Sequence, residues 1–146
     1  MKPTYQVQLK IRKPAAEVFD AVVRPEKLSR YFVAAASAPL VAGTTVKWRF
    51  AEVPGEHDVI VREVAENQRI VLEWDAPSGD HLIQVRMEFH PLDTGDTMVR
   101  ISESGWRDTP EEREASHGNA GGWMHMMCCL KAYLEYGVNL RAGGAF

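Results

Sequence analysis

Apolar and polar residues alternate in short runs along most of the chain, and this pattern predicts a fold rich in β-strands. In the first run, Tyr5, Val7, Leu9 and Ile11 alternate with polar residues. A period of two with one apolar face is typical of a half-buried strand. Similar runs predict further strands near residues 46–50, 59–64, 69–75, 83–89 and 97–103. Turn signals separate these runs, so the strands are expected to form an antiparallel meander.

Two short helices are predicted between the first strand and the later ones. Pro14 ends the first strand and suits the first turn of a helix. The Arg-Pro-Glu sequence at residues 24–26 interrupts this helix and opens a second one that continues to Phe32. Residues 34–42 are small and apolar, and they are expected to be irregular or weakly extended.

One long helix is predicted near the C-terminus. Residues 109–112 read Thr-Pro-Glu-Glu, which combines a capping residue, a proline in the first turn and acidic side chains near the positive end of the helix dipole. Three glycines within residues 118–122 weaken the middle, and a break in the helix is expected there. The helical pattern is strong from Trp123 to about Tyr136, and Gly137 is the expected C-cap.

The order of elements predicts an α+β fold in which a curved antiparallel sheet wraps on the long helix. A sheet with one apolar face needs another element to cover it, and only the last helix is long enough. One face of that helix carries Trp123, Met127, Leu130 and Leu134. The opposite face is expected to carry His125, Cys129, Ala132 and Tyr136. Two interpretations of the first face stay open, because it either fills the core or roofs a ligand cavity.

Composition and charge narrow the classes of function. The chain has 146 residues and a net charge of −3, which predicts a single domain over residues 1–146 and argues against nucleic-acid binding. Cys128 and Cys129 are adjacent and point about 100° apart on a helix, so no internal disulfide is expected and a reducing compartment is favoured. The N-terminus lacks the apolar stretch of a signal peptide, and no segment approaches the roughly 20 apolar residues of a membrane helix. The chain is therefore predicted to be cytoplasmic, without a membrane partner.

Two polar residues are candidates for an internal site. Glu103 shares strand parity with Val99 and Ile101, so it points inward if the strand stays regular. A carboxylate there needs a partner or solvent, and it suits a ligand contact or an acid–base group. The alternative is a strand end at which parity no longer applies. His57 shares parity with Val59, but it follows a turn, so a solvated histidine is the alternative there.

A metal site is not predicted. His125 and Cys129 are four residues apart, a spacing that presents two ligands on one helix face, and Cys128 adds a soft donor. The sequence places no third hard ligand beside them. It also contains no phosphate-binding loop, nucleophile elbow or paired carboxylate motif. The predictions are therefore no metal, no cofactor and no assigned catalytic residue.

Several stretches match the pattern of a known family in the same order. They are residues 14–21 (PAAEVFDA), 24–28 (RPEKL), 69–74 (RIVLEW), 95–97 (GDT), 104–106 (SGW), and Gly122-Trp123 followed by apolar residues at 127, 130 and 134. This ordered set resembles the Hsp90-ATPase-activator-homologue family of the START-like superfamily. The resemblance covers nearly the whole chain.

The resemblance implies a helix-grip (START-like) fold, in which six or seven strands wrap on the long helix. It implies no shared catalytic set. Two departures lie near the expected cavity mouth: Tyr31-Phe32 stands where many relatives carry tryptophan, and residues 41–43 lack the usual glycine pair. The type of ligand therefore does not follow from the resemblance.

The favoured function is a binding module for a small apolar or amphipathic ligand, held between the sheet and the last helix. The expected cavity residues are Phe32, Trp48, His57, Trp74, Val85, Met87, Glu103, Trp123 and Met127. One alternative is an enzyme of the cyclase, dehydratase or hydrolase type that uses Glu103 or His57. Another is a co-chaperone acting on Hsp90, an activity that in the eukaryotic activators also involves a separate N-terminal domain.

A homodimer is also predicted. Residues 115–130 contain no Asp, Glu, Lys or Arg, and the outer face of the helix would show Cys129, Ala132 and Tyr136. An apolar outer face marks contact with another element or a second chain. Two-fold pairing is the commonest form of such contact.

Overall fold

The computed structural model describes residues 2–145, so Met1 and Phe146, the ends of the predicted domain, lie outside the described residues. The elements in chain order are β1 (Tyr5–Ile11), α1 (Ala15–Val23), α2 (Pro25–Leu28), β2 (Ala35–Ala36), β3 (Thr45–Arg49), β4 (Glu56–Ala65), β5 (Arg69–Asp75), β6 (Leu82–Pro91), β7 (Thr97–Ser104) and α3 (Pro110–Tyr136). The predicted strands and helices are all present, and the strand predicted at residues 69–75 has the same bounds in the structure. The second helix was expected to continue to Phe32, but it ends at Leu28 and a turn follows it.

The seven strands form one antiparallel sheet with the order β1-β7-β6-β5-β4-β3-β2. Strands β2 to β7 follow one another as a meander, and β1 pairs with β7 at the far edge. Its register sets Tyr5 opposite Glu103, and at the other end of the sheet Trp48 lies opposite His57. The predicted α+β helix-grip fold is confirmed. None of the helices in the described part of the chain is long and apolar enough to cross a membrane.

Helix α3 is continuous for 27 residues, so the expected break at the glycines is wrong. Each glycine costs about 1 kcal/mol relative to alanine, but packing of an apolar face stabilises a helix by more than its propensities do. The predicted ends are confirmed. Thr109 Oγ1 accepts a hydrogen bond from the Glu112 N–H at 3.2 Å, and Gly137 ends the helix with a φ of 67°.

The buried face of α3 is wider than the sequence predicts. Trp123, Met127 and Leu130 are buried as expected, but Cys129 is also fully buried, and its predicted place on an outer face is wrong. The reason is a second covering layer beside the sheet. Tyr31, in the turn after α2, stacks on Tyr133 of α3 with ring centroids 5.4 Å apart, and it covers this side of the helix.

The C-terminal half of α3 is fixed firmly against β1 and the turn that follows it. Lys131 Nζ donates a hydrogen bond to the Lys10 carbonyl at 2.8 Å. The Glu135 carboxylate accepts one from the Arg12 backbone N–H at 2.9 Å and one from Arg12 Nε at 2.7 Å. These contacts hold the C-terminal half of α3 in place, and the cavity lies beside its N-terminal half.

Candidate functional site

A cavity of about 590 Å³ opens between the N-terminal half of α3 and the loop that joins β3 to β4. Phe32, Trp74 and Trp123 form its floor. Phe50, Glu52 and Val53 form the wall on the side of the loop. Gly118, Asn119, Gly122 and His125 form the wall on the side of the helix, and Arg141 lies at one end.

The floor of the cavity is a set of aromatic rings in direct contact. Trp74 and Trp123 stack with centroids 5.4 Å apart and an angle of 26° between their planes. Phe32 packs against Trp123 at 5.7 Å and against Phe50 at 5.2 Å. Trp48 is fully buried and supports the floor through contacts with Phe32 at 5.7 Å and Trp74 at 6.3 Å. Flat apolar surface of this kind favours flat or branched apolar ligands.

Two glycines leave part of the helical wall free of side chains. Gly118 and Gly122 are four residues apart and therefore share one face of α3. A Cβ added at either position would meet no heavy atom within 4 Å, so their space is open. Alanine would be the better helix former at both positions. The two glycines therefore make α3 less stable where it borders the cavity.

One end of the cavity is polar. Arg141, beyond the end of α3, forms an ion pair with Glu52 of the β3–β4 loop. Its guanidinium also lies 3.4 Å from His125 Nδ1 and 5.8 Å from the centre of the Phe32 ring. The side chains of Arg141 and Glu52 are 13% and 17% exposed. This ion pair ties the C-terminal segment to the loop beside the cavity.

Glu103 lies behind the aromatic floor and is 1% exposed. It accepts hydrogen bonds from the Tyr5 hydroxyl, from Trp123 Nε1 at 2.9 Å and from Asn119 Nδ2 at 3.2 Å. Burial raises the pKa of Glu103 above its ordinary value, although these hydrogen bonds act in the opposite direction. Burial, together with the charge of Glu103, also raises the pKa of Tyr5. The carboxylate therefore fixes two residues that line the cavity, Trp123 and Asn119, without lining it.

A second, smaller compartment of about 260 Å³ adjoins the first. The two share Phe50, Val53, Trp74 and Asn119 as lining residues. The smaller compartment is completed by His57, Asp75, Pro77 and Trp106. His57 is half-buried, and its ring lies 5.8 Å from that of Phe50.

The structure separates the nine expected cavity residues into four groups. Phe32, Trp74 and Trp123 line the main cavity, His57 lines the smaller compartment, and Glu103 lies behind the floor. The others lie in the core: Trp48, Val85, Met87 and Met127. Strand parity and the helical stripe identify their inward direction correctly, but α3 rests directly on the sheet there and leaves no space.

Several residues of the cavity were not identified from the sequence. Glu52 and Val53 lie in a loop, where periodicity gives no direction. Phe50 was expected at the inward end of a strand and directly follows β3 in the structure, but it was not among the expected cavity residues. Arg141 reaches Glu52 across 89 positions, a contact that no local pattern encodes. The glycines of α3 were a signal for the cavity in the sequence. Three glycines lower the stability of a helix, so their presence in one well-capped helix indicates another role.

The two possible metal ligands on α3, His125 and Cys129, lie next to each other in the structure. Cys129 Sγ lies 3.6 Å from His125 Nε2, and burial raises the pKa of the Cys129 thiol. Among residues 2–145, no group of three or more His, Cys, Asp or Glu side chains is placed to hold a metal ion. His125 instead lies in the cavity wall, beside Arg141.

The sheet, the long helix gripped by it and the cavity between them define the class of helix-grip, START-like proteins. Within this class, the chain belongs to the family described as activator of Hsp90 ATPase homolog 1-like protein, whose model matches residues 12–135. No curated protein matches the chain in sequence.

Solved structures show the same fold. Protein SSP2350 from Staphylococcus saprophyticus is 27% identical, with 95% of this chain and 96% of that one covered and a TM-score of 0.81. The Aha1 dimer from Colwellia psychrerythraea is 21% identical, with 92% and 98% covered and a TM-score of 0.76. DynU16, from the dynemicin biosynthetic locus, is 22% identical, with 92% and 48% covered and a TM-score of 0.78.

Proposed function

We propose that this protein binds a small apolar or amphipathic ligand in the cavity beside the N-terminal half of α3. The observation that carries the proposal is the aromatic floor beneath a wall of glycines. Phe32, Trp74 and Trp123 offer apolar contact surface, and Gly118 and Gly122 leave the space above it open. A cavity of about 590 Å³ is within the usual range for small-molecule sites, roughly 300–1,000 Å³.

The polar end of the cavity supports an amphipathic ligand. Arg141, Glu52 and His125 lie together at one side of an otherwise apolar site. A few polar groups in an apolar pocket fix the orientation of a ligand. The apolar part of the ligand would rest on the indoles of Trp74 and Trp123, with its polar group near the Arg141–Glu52 pair.

The position of Glu103 argues against its use as an acid–base group and so favours binding. An acid–base group must reach the reacting atoms within hydrogen-bond distance, directly or through one water. The carboxylate of Glu103 is instead engaged by Tyr5, Asn119 and Trp123. It acts on the cavity through those side chains, as a group that positions the wall.

Two leucine substitutions on α3 test the proposal. Gly122 lines the cavity and Gly121 does not, and consecutive helical residues point about 100° apart. A Cβ added at either position meets no heavy atom within 4 Å, so both variants should fold. Gly122→Leu should fill the cavity and weaken binding roughly tenfold or more, whereas Gly121→Leu should bind as the unmodified protein does.

The probe for this test is 1-anilinonaphthalene-8-sulfonate, followed by a panel of fatty acids and aromatic compounds, with affinities measured by fluorescence and calorimetry. The denaturation midpoint of each variant serves as a control for folding. No binding by the unmodified protein across the panel, or equal affinities in the two variants, would contradict the proposal.

The homodimer stays a prediction, but the surface expected to form the contact differs from the one proposed from the sequence. Cys129 is buried within the chain and is not available to a partner. Tyr136, Val138 and Leu140 are exposed apolar residues at the end of α3 and just beyond it. Light scattering should give twice the monomer mass of 16.4 kDa, and a monomer at micromolar concentration would contradict the prediction. The cytoplasm likewise stays the predicted location.

A further inference from the structure

Two buried nitrogens beside the smaller compartment lack hydrogen-bond partners. Trp106 Nε1 and His57 Nε2 have no hydrogen-bond partner within residues 2–145, and both atoms are buried. Nearly all buried polar groups in proteins are paired, so each exception needs an explanation. Trp106 is 1% exposed, and both side chains line the same compartment.

A third unpaired nitrogen provides a contrast. Trp48 Nε1 is also buried without a partner in the described chain, but Trp48 lines neither compartment. It is enclosed by the rings of Phe32, Phe50 and Trp74 at 5.7, 6.4 and 6.3 Å. For Trp48 a ligand is therefore no explanation, whereas Trp106 and His57 border a space that a ligand can enter.

The chemistry of these nitrogens selects the ligand group. An indole N–H donates only, and a neutral imidazole nitrogen donates in one of its two tautomers. The ligand must therefore present a hydrogen-bond acceptor. Asp75 lines the same compartment, and a negative ligand group near its carboxylate would be repelled. A neutral acceptor, such as the carbonyl oxygen of a ketone, ester or amide, satisfies both conditions.

We infer that the smaller compartment is a subsite for a neutral carbonyl oxygen, which Trp106 Nε1 and His57 Nε2 hold by hydrogen bonds once their rings have shifted to expose these buried atoms. The inference rests on the proposed function, since the rest of the ligand lies on the floor of the main cavity. Trp74 and Asn119 line both compartments, so one molecule can occupy the two together. The ligand is thus an apolar molecule with a carbonyl group at one end.

A matched set of naphthalenes tests this inference. 2-Acetylnaphthalene and 2-isopropenylnaphthalene have nearly the same shape, but only the first carries a carbonyl oxygen, and 2-naphthoate carries a negative charge. The ketone should bind roughly threefold to tenfold more tightly than the hydrocarbon, the range expected for one net hydrogen bond. The indole N–H signal of Trp106, assigned with Trp106→Phe in nitrogen-15 correlation spectra, should shift with the ketone and not with the hydrocarbon.

Two variants remove the donors one at a time. Trp106→Phe deletes the N–H, and its spectrum shows whether the protein is folded. His57→Phe alters a half-buried residue and keeps the test available if the first variant unfolds. Each should lower the preference for the ketone, measured as the ratio of the ketone affinity to the hydrocarbon affinity in the same variant. His90→Phe changes a β6 histidine outside both compartments and should preserve the preference.

The outcomes separate the subsite from the cavity. Equal affinities for ketone and hydrocarbon, with an unmoved Trp106 signal, overturn the carbonyl subsite and leave the proposed function intact. Tighter binding of 2-naphthoate than of the ketone overturns the assignment of a neutral acceptor. Failure of all three compounds, together with failure of the wider panel, overturns the proposed function itself.

Discussion

The two halves of α3 have different surroundings and different compositions. Residues 124–136 rest on β1 and on the turns after β1 and α2, with buried Met126, Met127, Cys129 and Leu130. Residues 110–123 border the cavity and contain three glycines and no leucine, isoleucine or valine. The C-terminal half is anchored by the Arg12–Glu135 and Lys131–Glu135 pairs. The N-terminal half is anchored by the hydrogen bonds that Asn119 and Trp123 donate to Glu103.

This difference separates the stability of the fold from the shape of the site. Close packing in the C-terminal half makes that end insensitive to what the cavity contains, because packed interiors deform little. The N-terminal half contains three glycines, which lower the stability of the helix but leave open space beside it. The helix is one rigid element, so its packed half holds its cavity half in place.

Trp123 lies at the boundary between the halves, and its removal should have the largest effect. It is 3% exposed, stacks on Trp74 and donates to Glu103. Trp123→Ala should lower the free energy of unfolding by about 3–5 kcal/mol, and it should also remove most of the ligand binding. The measurement is the midpoint of denaturant unfolding. An unchanged midpoint would show that the indole does not join the two halves.

Glu135 tests the packed half. Its burial opposes ionisation, but hydrogen bonds from the Arg12 backbone, Lys131 and the Arg12 side chain prevail and lower its pKa from 4.5 to about 2. Because the folded-state pKa is lowered, its contribution to stability is complete above pH 4.5 and is lost as the pH falls towards 2. Glu135→Gln should therefore destabilise the protein at pH 7, by about 1–2 kcal/mol.

The control for Glu135 is Glu66→Gln, at an exposed turn. The difference in unfolding free energy between Glu135→Gln and the unmodified protein should shrink below pH 4, as the unmodified carboxylate becomes protonated. A difference that stays constant from pH 7 to pH 3 would contradict the ionic role of Glu135.

Glu103 tests the cavity half, and its contribution to stability should change with pH in the direction opposite to that of Glu135. Its burial prevails over the hydrogen bonds from Tyr5, Trp123 and Asn119, so its pKa is raised above 4.5. The native state then holds the proton at a pH where the unfolded chain has lost it. The stabilisation is complete below pH 4.5 and is lost as the pH rises through the folded-state pKa, with a slope of at most about 1.4 kcal/mol per pH unit for one proton.

Glu103→Gln should remove this slope, because the amide does not ionise. Unfolding free energies of the two proteins, measured between pH 4 and pH 8, should therefore converge or cross as the pH rises. Parallel curves would show that Glu103 ionises in the fold as readily as in the unfolded chain.

The sequence predicted the sheet and the helix well because their signals are local. Strand parity gave the inward direction of Glu103 and Trp74, and the capping residue Thr109 gave the start of α3. The edges of the cavity depend on contacts between distant residues, such as Arg141 with Glu52. The burial of Cys129 depends on Tyr31, which reaches α3 only in the folded chain. These features follow from tertiary packing, which periodicity does not describe.

The glycines of α3 give the smallest expected effect and the sharpest comparison between fold and site. Gly121→Ala and Gly122→Ala add a methyl group into open space and replace a poor helix former, so each should raise the free energy of unfolding by about 0.5–1 kcal/mol. Only Gly122 lines the cavity. Equal gains in thermal stability, with a lower affinity for the probe in Gly122→Ala alone, would show that this glycine serves the cavity. A loss of affinity in both variants would instead attribute the effect to stiffening of the helix.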